Sequence, residues 1–284
     1  MTAKPVRVLT IAGSDSGGGA GIQADIKTIA ALGGYPMTAI TAITVQDTRG
    51  VHAIHPVPPD IVAEQIRVVL SDIGADAIKT GMLVSAAHVE AIADALQQFS
   101  SPVYGGGARA ASGGGKFTIP LVVDTVMIAK GGRALLDDAG VEALVRLLFP
   151  LAALITPNAP EAARLTGIAV NNVDDCARAG AMLRKAGARA VLVKGGHVAG
   201  DSITDVLVDE TGVHHFTAAR LTNPSTHGTG CTLASAIATG LAQGLTMLDA
   251  VTAARSFVRE AISNGLALGH GTGPVNLTRA KPPA

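Results

Sequence analysis

Apolar residues along this chain fall in short runs that alternate between a strand-like and a helix-like spacing. Val6 to Ala12 reads as a short buried strand. It breaks into the glycine- and serine-rich Gly13 to Gly21, and a helix-spaced pattern follows through Leu32, giving strand, loop, helix. Pro36 to Val45 and Val51 to Val57 read as further strands because they are rich in β-branched residues. Pro58, Pro59 and Asp60 open a helix in which Ile61, Val62, Ile66, Val69, Leu70 and Ile73 recur at helical spacing. The alternation continues with a strand at Ala75 to Thr80, a helix at Ala86 to Phe99, a strand at Leu121 to Asp124, a helix at Val141 to Leu148 and a strand at Ala153 to Thr156. After a helix near Glu161 and another at Asp174 to Ala186 come a strand at Ala190 to Lys194 and a hairpin-like pair at Thr204 to Val208 and Val213 to Thr217. Two helices, Cys231 to Gln243 and Met247 to Leu268, close the pattern. Strands apolar on both faces, alternating with helices, predict an α/β fold with a mainly parallel sheet sandwiched by helices. No linker divides it, so a single domain over residues 1–284 is expected.

One stretch breaks the pattern. Residues 104–116 are almost wholly Gly, Ala and Ser, too poor in apolar surface to hold one shape, and predict a mobile loop. Its Gly115-Lys116 is not a phosphate-binding P-loop, because Ala110 and Phe117 stand where that motif needs glycine and a hydroxyl residue. The early glycine run also fails the dinucleotide fingerprint, with Ile22 or Ala24 at the last glycine position.

Composition narrows the class. The 284 residues are 48% hydrophobic but 2% aromatic, with 34 glycines, so the core is built from small aliphatic side chains. Twenty-two basic and 22 acidic residues cancel, which leaves no electrostatic footprint for nucleic acid or an anionic membrane and favours a small-molecule partner. No apolar run has membrane-spanning length, and residues 1–7 lack a signal-peptide pattern, so a cytoplasmic protein is expected. Cys176 and Cys231, the two cysteines, make neither a disulfide framework nor a zinc site. The His52/His55 pair has no further ligands, and His214 and His215 are expected in solvent.

The sharpest local signal is Thr226-His227-Gly228-Thr229-Gly230-Cys231, a glycine-rich turn feeding a helix of small residues. Bare amides and the positive helix end converge on an anion in such a turn. A cysteine in the first helical turn is expected to have a lowered thiol pKa. Read locally, the same residues also fit a plain helix cap with Cys231 packed, and His227 reads as shaping the turn or contacting phosphate, the structural role being the more common one.

Seven segments taken together resemble the hydroxymethylpyrimidine/phosphomethylpyrimidine kinases of the ribokinase superfamily. They are Ala12 to Asp25, Thr41 to Gln46, Lys79 to Leu83, Asp124 to Met127, Thr156 to Ala162, Val193 to His197 and the Gly228 to Cys231 turn, in the family's order over nearly the whole chain. The resemblance implies a ribokinase-like α/β/α sandwich and ATP-dependent phosphorylation of hydroxymethylpyrimidine, then of its monophosphate, with ATP and Mg²⁺. It places Gly13, Asp25, Gln46, Met82 and Val126 at the pyrimidine. Asn158, Lys194, Thr222 and Thr229 fall to ATP, and Asp124 and Glu161 to magnesium. The amides of Gly228, Thr229, Gly230 and Cys231 would receive the transferring phosphoryl group, with Cys231 where most ribokinase relatives carry an aspartate base. Gln46 can offer a carbonyl and an amide to an aminopyrimidine edge. A homodimer is implied as well. Two features depart from the family: the length of residues 104–116, and Gly131 where relatives commonly have serine. A pyridoxal or pyridoxine kinase is the alternative within the same branch. A non-catalytic pyrimidine-binding protein is the alternative of another class.

Overall fold

The structure, a computed structural model, describes residues 4–99, 118–129 and 132–278. The glycine-rich stretch 104–116 and Gly131 lie outside these residues. Among the described residues, nine strands form one sheet: β1 (Arg7–Ser14), β2 (Tyr35–Gln46), β3 (Val51–Pro56), β4 (Ala77–Thr80), β5 (Leu121–Val123), β6 (Leu154–Ile155), β7 (Val191–Val193), β8 (Ser202–Asp209) and β9 (Gly212–Ala219). Their spatial order is β3-β2-β1-β4-β5-β6-β7-β8-β9. The centre from β2 to β7 is parallel, and β3, β8 and β9 run antiparallel at the two edges. The mainly parallel sheet and the hairpin expected from the sequence are both present.

Side-chain alternation splits the core in two. Leu9, Ile11, Ile78, Leu121 and Val123 face one way, against α2 (Pro59–Asp72), α3 (Ala86–Gln98), α4 (Asp138–Ala143), α5 (Ala159–Thr166) and α6 (Val173–Lys185). Val8, Ala77, Val122, Leu154 and Leu192 face the other, against α1 (Gly21–Ala31), α7 (Thr229–Ala242) and α8 (Met247–Ser263). A strand buried on both faces gains from apolar side chains at every position, which is why these strands read as continuous runs.

Two helices differ from the sequence reading. The helix expected at Val141 to Leu148 begins earlier, because the Asp137 side chain accepts from Gly140 N and caps α4. It then widens into a π turn at Leu144–Leu148 and a 3-10 turn at Phe149–Leu151, where Pro150 has no N–H to continue the helix. The last helix stops at Ser263 rather than Leu268. The chain then doubles back as a strap whose Leu266 N donates to Pro274 O and whose Thr272 N donates to Thr48 O. His227 N donates to Gly273 O, and Val275 N to His227 O, so the strap ties the turn before α7 to the loop between β2 and β3. Among the described residues, no helix is long and apolar enough to cross a membrane.

Candidate active site

A cavity of about 840 Å³ opens above the ends of the central strands, where a parallel sheet presents its loops. It is lined at one end by Gly13, Gln46, Met82 and Val126, in the middle by Asp124, Asn158, Glu161, Lys194 and the Gly228–Cys231 turn, and at the other end by Ile203, Leu221, Val258 and Ile262. Twelve of the fourteen residues singled out from sequence for this site therefore share one cavity: Gly13, Gln46, Met82, Asp124, Val126, Asn158, Glu161, Lys194, Gly228, Thr229, Gly230 and Cys231.

The remaining two stand elsewhere. Asp25 is fully buried below the cavity and does not line it. Both of its oxygens lie 2.9 Å from Lys79 Nζ, and Thr10 Oγ1 and Ser235 Oγ also donate to it, so its hydrogen bonds are spent inside the core. Thr222 follows Leu221, which faces the cavity, and is itself exposed and away from the lining.

The turn before α7 has the form expected of an anion cradle. Gly228 has φ +87°, and a side chain there would collide with Gly19 O. This lets the turn sit against the loop before α1 with its free amides at the helix N-terminus. Cys231 is partly accessible from the cavity. The lowered thiol pKa expected from sequence is not found. Burial raises it to about 11, outweighing the Lys79 charge and a hydrogen bond from Gly21 N. A helix N-terminus favours an anion by a modest amount, and packing around the thiol removes more hydration than that returns.

Lys194 lies at the end of β7 and is mostly buried; its Nζ donates to Asp124 Oδ1 at 2.8 Å, and Thr156 Oγ1 donates to the same oxygen at 3.0 Å. Burial pushes the Asp124 carboxyl up, but Lys194 and Lys79 outweigh it and hold it below its ordinary value. Glu161 moves the opposite way: burial raises it and the Asp124 charge adds to that, with Lys194 offsetting only part. Asn158 caps α5 in a reciprocal box, its side chain accepting from Glu161 N at 2.9 Å while Asn158 N donates to Glu161 Oε2 at 2.8 Å. Thr125 Oγ1 also donates to Glu161 Oε2.

Among the described residues, Asp124 Oδ2 and Glu161 Oε1 accept no hydrogen bond. Each carboxylate thus keeps one oxygen for a ligand, and two hard oxygen donors beside a glycine-rich helix N-terminus suit magnesium, which retains waters and needs few protein ligands. No group of three or more His, Cys, Asp or Glu able to hold a metal occurs among the described residues. That includes the His52/His55 pair, where His52 instead meets Asp47 at 3.1 Å. His215 is exposed as expected, whereas His214 is half-buried against Thr211 and Asp209.

Several lining residues carried no local signal. Arg220 donates to the carbonyls of Gly196, Val198 and Gly200, closing the turn after β7. Asp205 accepts from Gly195 N and from Arg255, which also lies over the Phe216 ring at 5.5 Å. These contacts join residues far apart in sequence. Asp15 did leave a trace, since a short acidic residue followed by glycines is a natural acceptor for the amides that follow it. It accepts from Gly17 N, Gly19 N and Ala20 N, and His227 Nε2 lies 2.9 Å from its Oδ2. Gln46 Nε2 lies 3.3 Å from His227 Nε2, and Gln46 Oε1 lies 3.2 Å from Thr44 Oγ1.

A nine-stranded sheet with an anion turn facing a lysine–aspartate pair defines a phosphotransferase-like site, and solved structures agree. The pyridoxal kinase of Staphylococcus aureus in complex with AMP-PCP superposes with a TM-score of 0.85 at 33% identity, covering 99% of this chain and 97% of that one. The phosphomethylpyrimidine kinase of Clostridium difficile superposes with a TM-score of 0.75 at 40% identity, covering 90% and 99%. The fold is ribokinase-like, and the class is small-molecule kinase.

Sequence narrows the class to a family. The phosphomethylpyrimidine kinase family model matches residues 15–104 and 108–276. The hydroxymethylpyrimidine/phosphomethylpyrimidine kinase of Streptomyces coelicolor is 46% identical over 96% of this chain and 94% of its own. The bifunctional thiamine biosynthesis protein ThiED of Geobacter sulfurreducens is 49% identical over 95% of this chain, which spans about half (51%) of that longer protein. This chain belongs to the phosphomethylpyrimidine kinase family.

Proposed function

We propose that this protein transfers the γ-phosphoryl group of ATP to 4-amino-5-hydroxymethyl-2-methylpyrimidine and then to the resulting monophosphate, as a step of thiamine biosynthesis. The observation that carries this reading is that Gln46 and Met82 lie at one end of the same cavity whose middle holds the Gly228–Cys231 turn and the Lys194–Asp124 pair. Its relatives' names supply the substrate. In the first step the hydroxymethyl oxygen bonds to the γ-phosphorus as the bond to the β–γ bridging oxygen breaks, releasing ADP. Positioning and charge neutralisation supply most of the acceleration in such transfers. The amides of the turn face the phosphoryl oxygens, and Lys194 adds a positive charge beside them. The thiolate of Cys231, whose cost of burial Lys79 and Gly21 N offset only in part, is the group placed to take the hydroxyl proton. The monophosphate acceptor is already an anion and needs no such help.

Magnesium, held by Asp124 Oδ2 and Glu161 Oε1, would neutralise phosphate charge. Asn158, Thr229 and the apolar wall of Leu221, Val258 and Ile262 would hold the nucleotide. We assign a single kinase domain to the whole chain, supported by the one continuous sheet. A cytoplasmic homodimer completes the proposal. Exposed Ile43 and Val45 near the β3 edge of the sheet support the dimer. Light scattering reading a monomer would refute it.

ADP release on adding hydroxymethylpyrimidine to protein, ATP and Mg²⁺ tests the activity; no release above the rate without the ring refutes it. Pyridoxal phosphorylation is the second reading, favoured by the 0.85 TM-score to the S. aureus pyridoxal kinase.

A further inference from the structure

Asp15, His227 and Gln46 form a run of contacts along one wall of the cavity, and the chemistry of its two ends decides which way the Gln46 amide faces. Asp15 accepts from three backbone amides, at 2.8 Å from Gly17, 3.1 Å from Gly19 and 2.8 Å from Ala20. Backbone N–H groups only donate, so this carboxylate is held as an acceptor. His227 Nε2, 2.9 Å from Asp15 Oδ2, therefore carries the ring proton on that side. A protonated ring nitrogen has no lone pair left to accept a second hydrogen bond. The Gln46 atom beside it is Nε2, 3.3 Å away, a donor facing a donor, and turning the carboxamide over brings the matching carbonyl oxygen to that proton.

The other end gives the same answer independently. Thr44 Oγ1 lies 2.8 Å from the Ser14 carbonyl, which can only accept, so the single hydroxyl hydrogen goes there. The threonine oxygen is then an acceptor towards Gln46, whose Oε1 stands 3.2 Å away, and turning the carboxamide over brings the matching amide nitrogen to it. Oxygen and nitrogen of a carboxamide are alike in size, so their partners choose between the two orientations.

We propose that His227, oriented by Asp15, is a positioning residue that sets substrate specificity: it turns the Gln46 carbonyl to the His227 side and the Gln46 amide to the Thr44 side. One lone pair of that oxygen and one hydrogen of that nitrogen remain for a ligand, side by side. They complement a ring edge on which an amino group stands next to an unprotonated ring nitrogen. The corresponding oxo ring, with a carbonyl next to a protonated nitrogen, shows the inverse pattern and leaves both Gln46 groups opposed to like partners. This inference rests on the aminopyrimidine substrate proposed above.

Calorimetric titration of the protein without ATP tests it, with 4-amino-5-hydroxymethyl-2-methylpyrimidine and its 4-oxo counterpart as probes. Wild type is expected to prefer the amino ring by about 100-fold or more, since a site built to hydrogen-bond one edge rejects its inverse. In His227→Leu, where Gln46 is free to turn over, the preference is expected to fall below about 10-fold. His227→Gln, which keeps an N–H at similar reach, should recover part of it. His227→Asn, too short to bridge both neighbours, serves as the second test should the leucine variant not fold. An unchanged preference in folded His227→Leu or His227→Asn overturns the role of His227 and leaves the substrate reading standing. A wild-type protein that does not bind the amino ring overturns both.

Discussion

Lys79 Nζ stands 2.9 Å from both carboxylate oxygens of Asp25, and neither side chain is reached by solvent. The pair joins β4 to α1 directly behind the cavity floor, close enough that a side chain at Gly81 would meet the ammonium at 2.9 Å. Ser235, one helical turn beyond Cys231, donates to Asp25. The pair thereby fixes α7 and its cysteine relative to the sheet.

Breaking this pair from one side should be far more damaging than removing it whole. Lys79→Met leaves a buried carboxylate unpaired and is expected to cost about 3–5 kcal/mol, whereas Lys79→Met with Asp25→Leu should recover most of that. Urea unfolding of the three proteins measures both values. Equal loss in the single and double variants would show that the pair is not the cause.

Cys231→Ala is expected to separate the two acceptors. Turnover with the hydroxymethyl ring should fall by about 100-fold or more, the range of a lost proton acceptor, with a smaller fall for the monophosphate. Binding of the ring should change little, because Gln46 and Met82 line one end of the cavity and Cys231 its middle. Steady-state kinetics on each acceptor, beside a ring titration, check this.

The Cys231 thiol provides a pH test. Its pKa is raised from 9.0 to about 11, so at any pH below 9 the thiolate is roughly 100-fold scarcer than in an unperturbed cysteine. Alkylation by iodoacetamide, followed by mass spectrometry, should be slow at pH 7 and climb steadily as pH rises towards 11. Cys176, buried on α6 and likewise raised to about 11, should lag behind it. Fast labelling of Cys231 at neutral pH would contradict this.

The strand alternation was legible because parallel strands buried on both faces are apolar at nearly every position, as Leu121 to Val123 are throughout and Val8 to Ile11 are but for Thr10. The anion turn was legible because glycines before a helix of small residues leave few other uses. What sequence hid was set by distance and burial. Asp25 sits in a motif with site residues, but its partner Lys79 lies 54 positions away, and that contact takes it out of the cavity. The thiol pKa of Cys231 depends on how much protein surrounds it, which local sequence does not encode. The strap from 264 to 278 reads as helix as far as Leu268, and only its pairing with His227 and Thr48 shows where it goes. His227 read as a turn-shaping residue because Asp15, 212 positions earlier, supplies the charge that gives its proton a direction.

The most direct test of the account is to incubate the purified protein with ATP and Mg²⁺ and offer hydroxymethylpyrimidine, its monophosphate and pyridoxal side by side, identifying products by mass. One and then two phosphoryl groups are expected on the pyrimidine, with pyridoxal the poorer acceptor. Preferential phosphorylation of pyridoxal, or no transfer to any of the three, would contradict it.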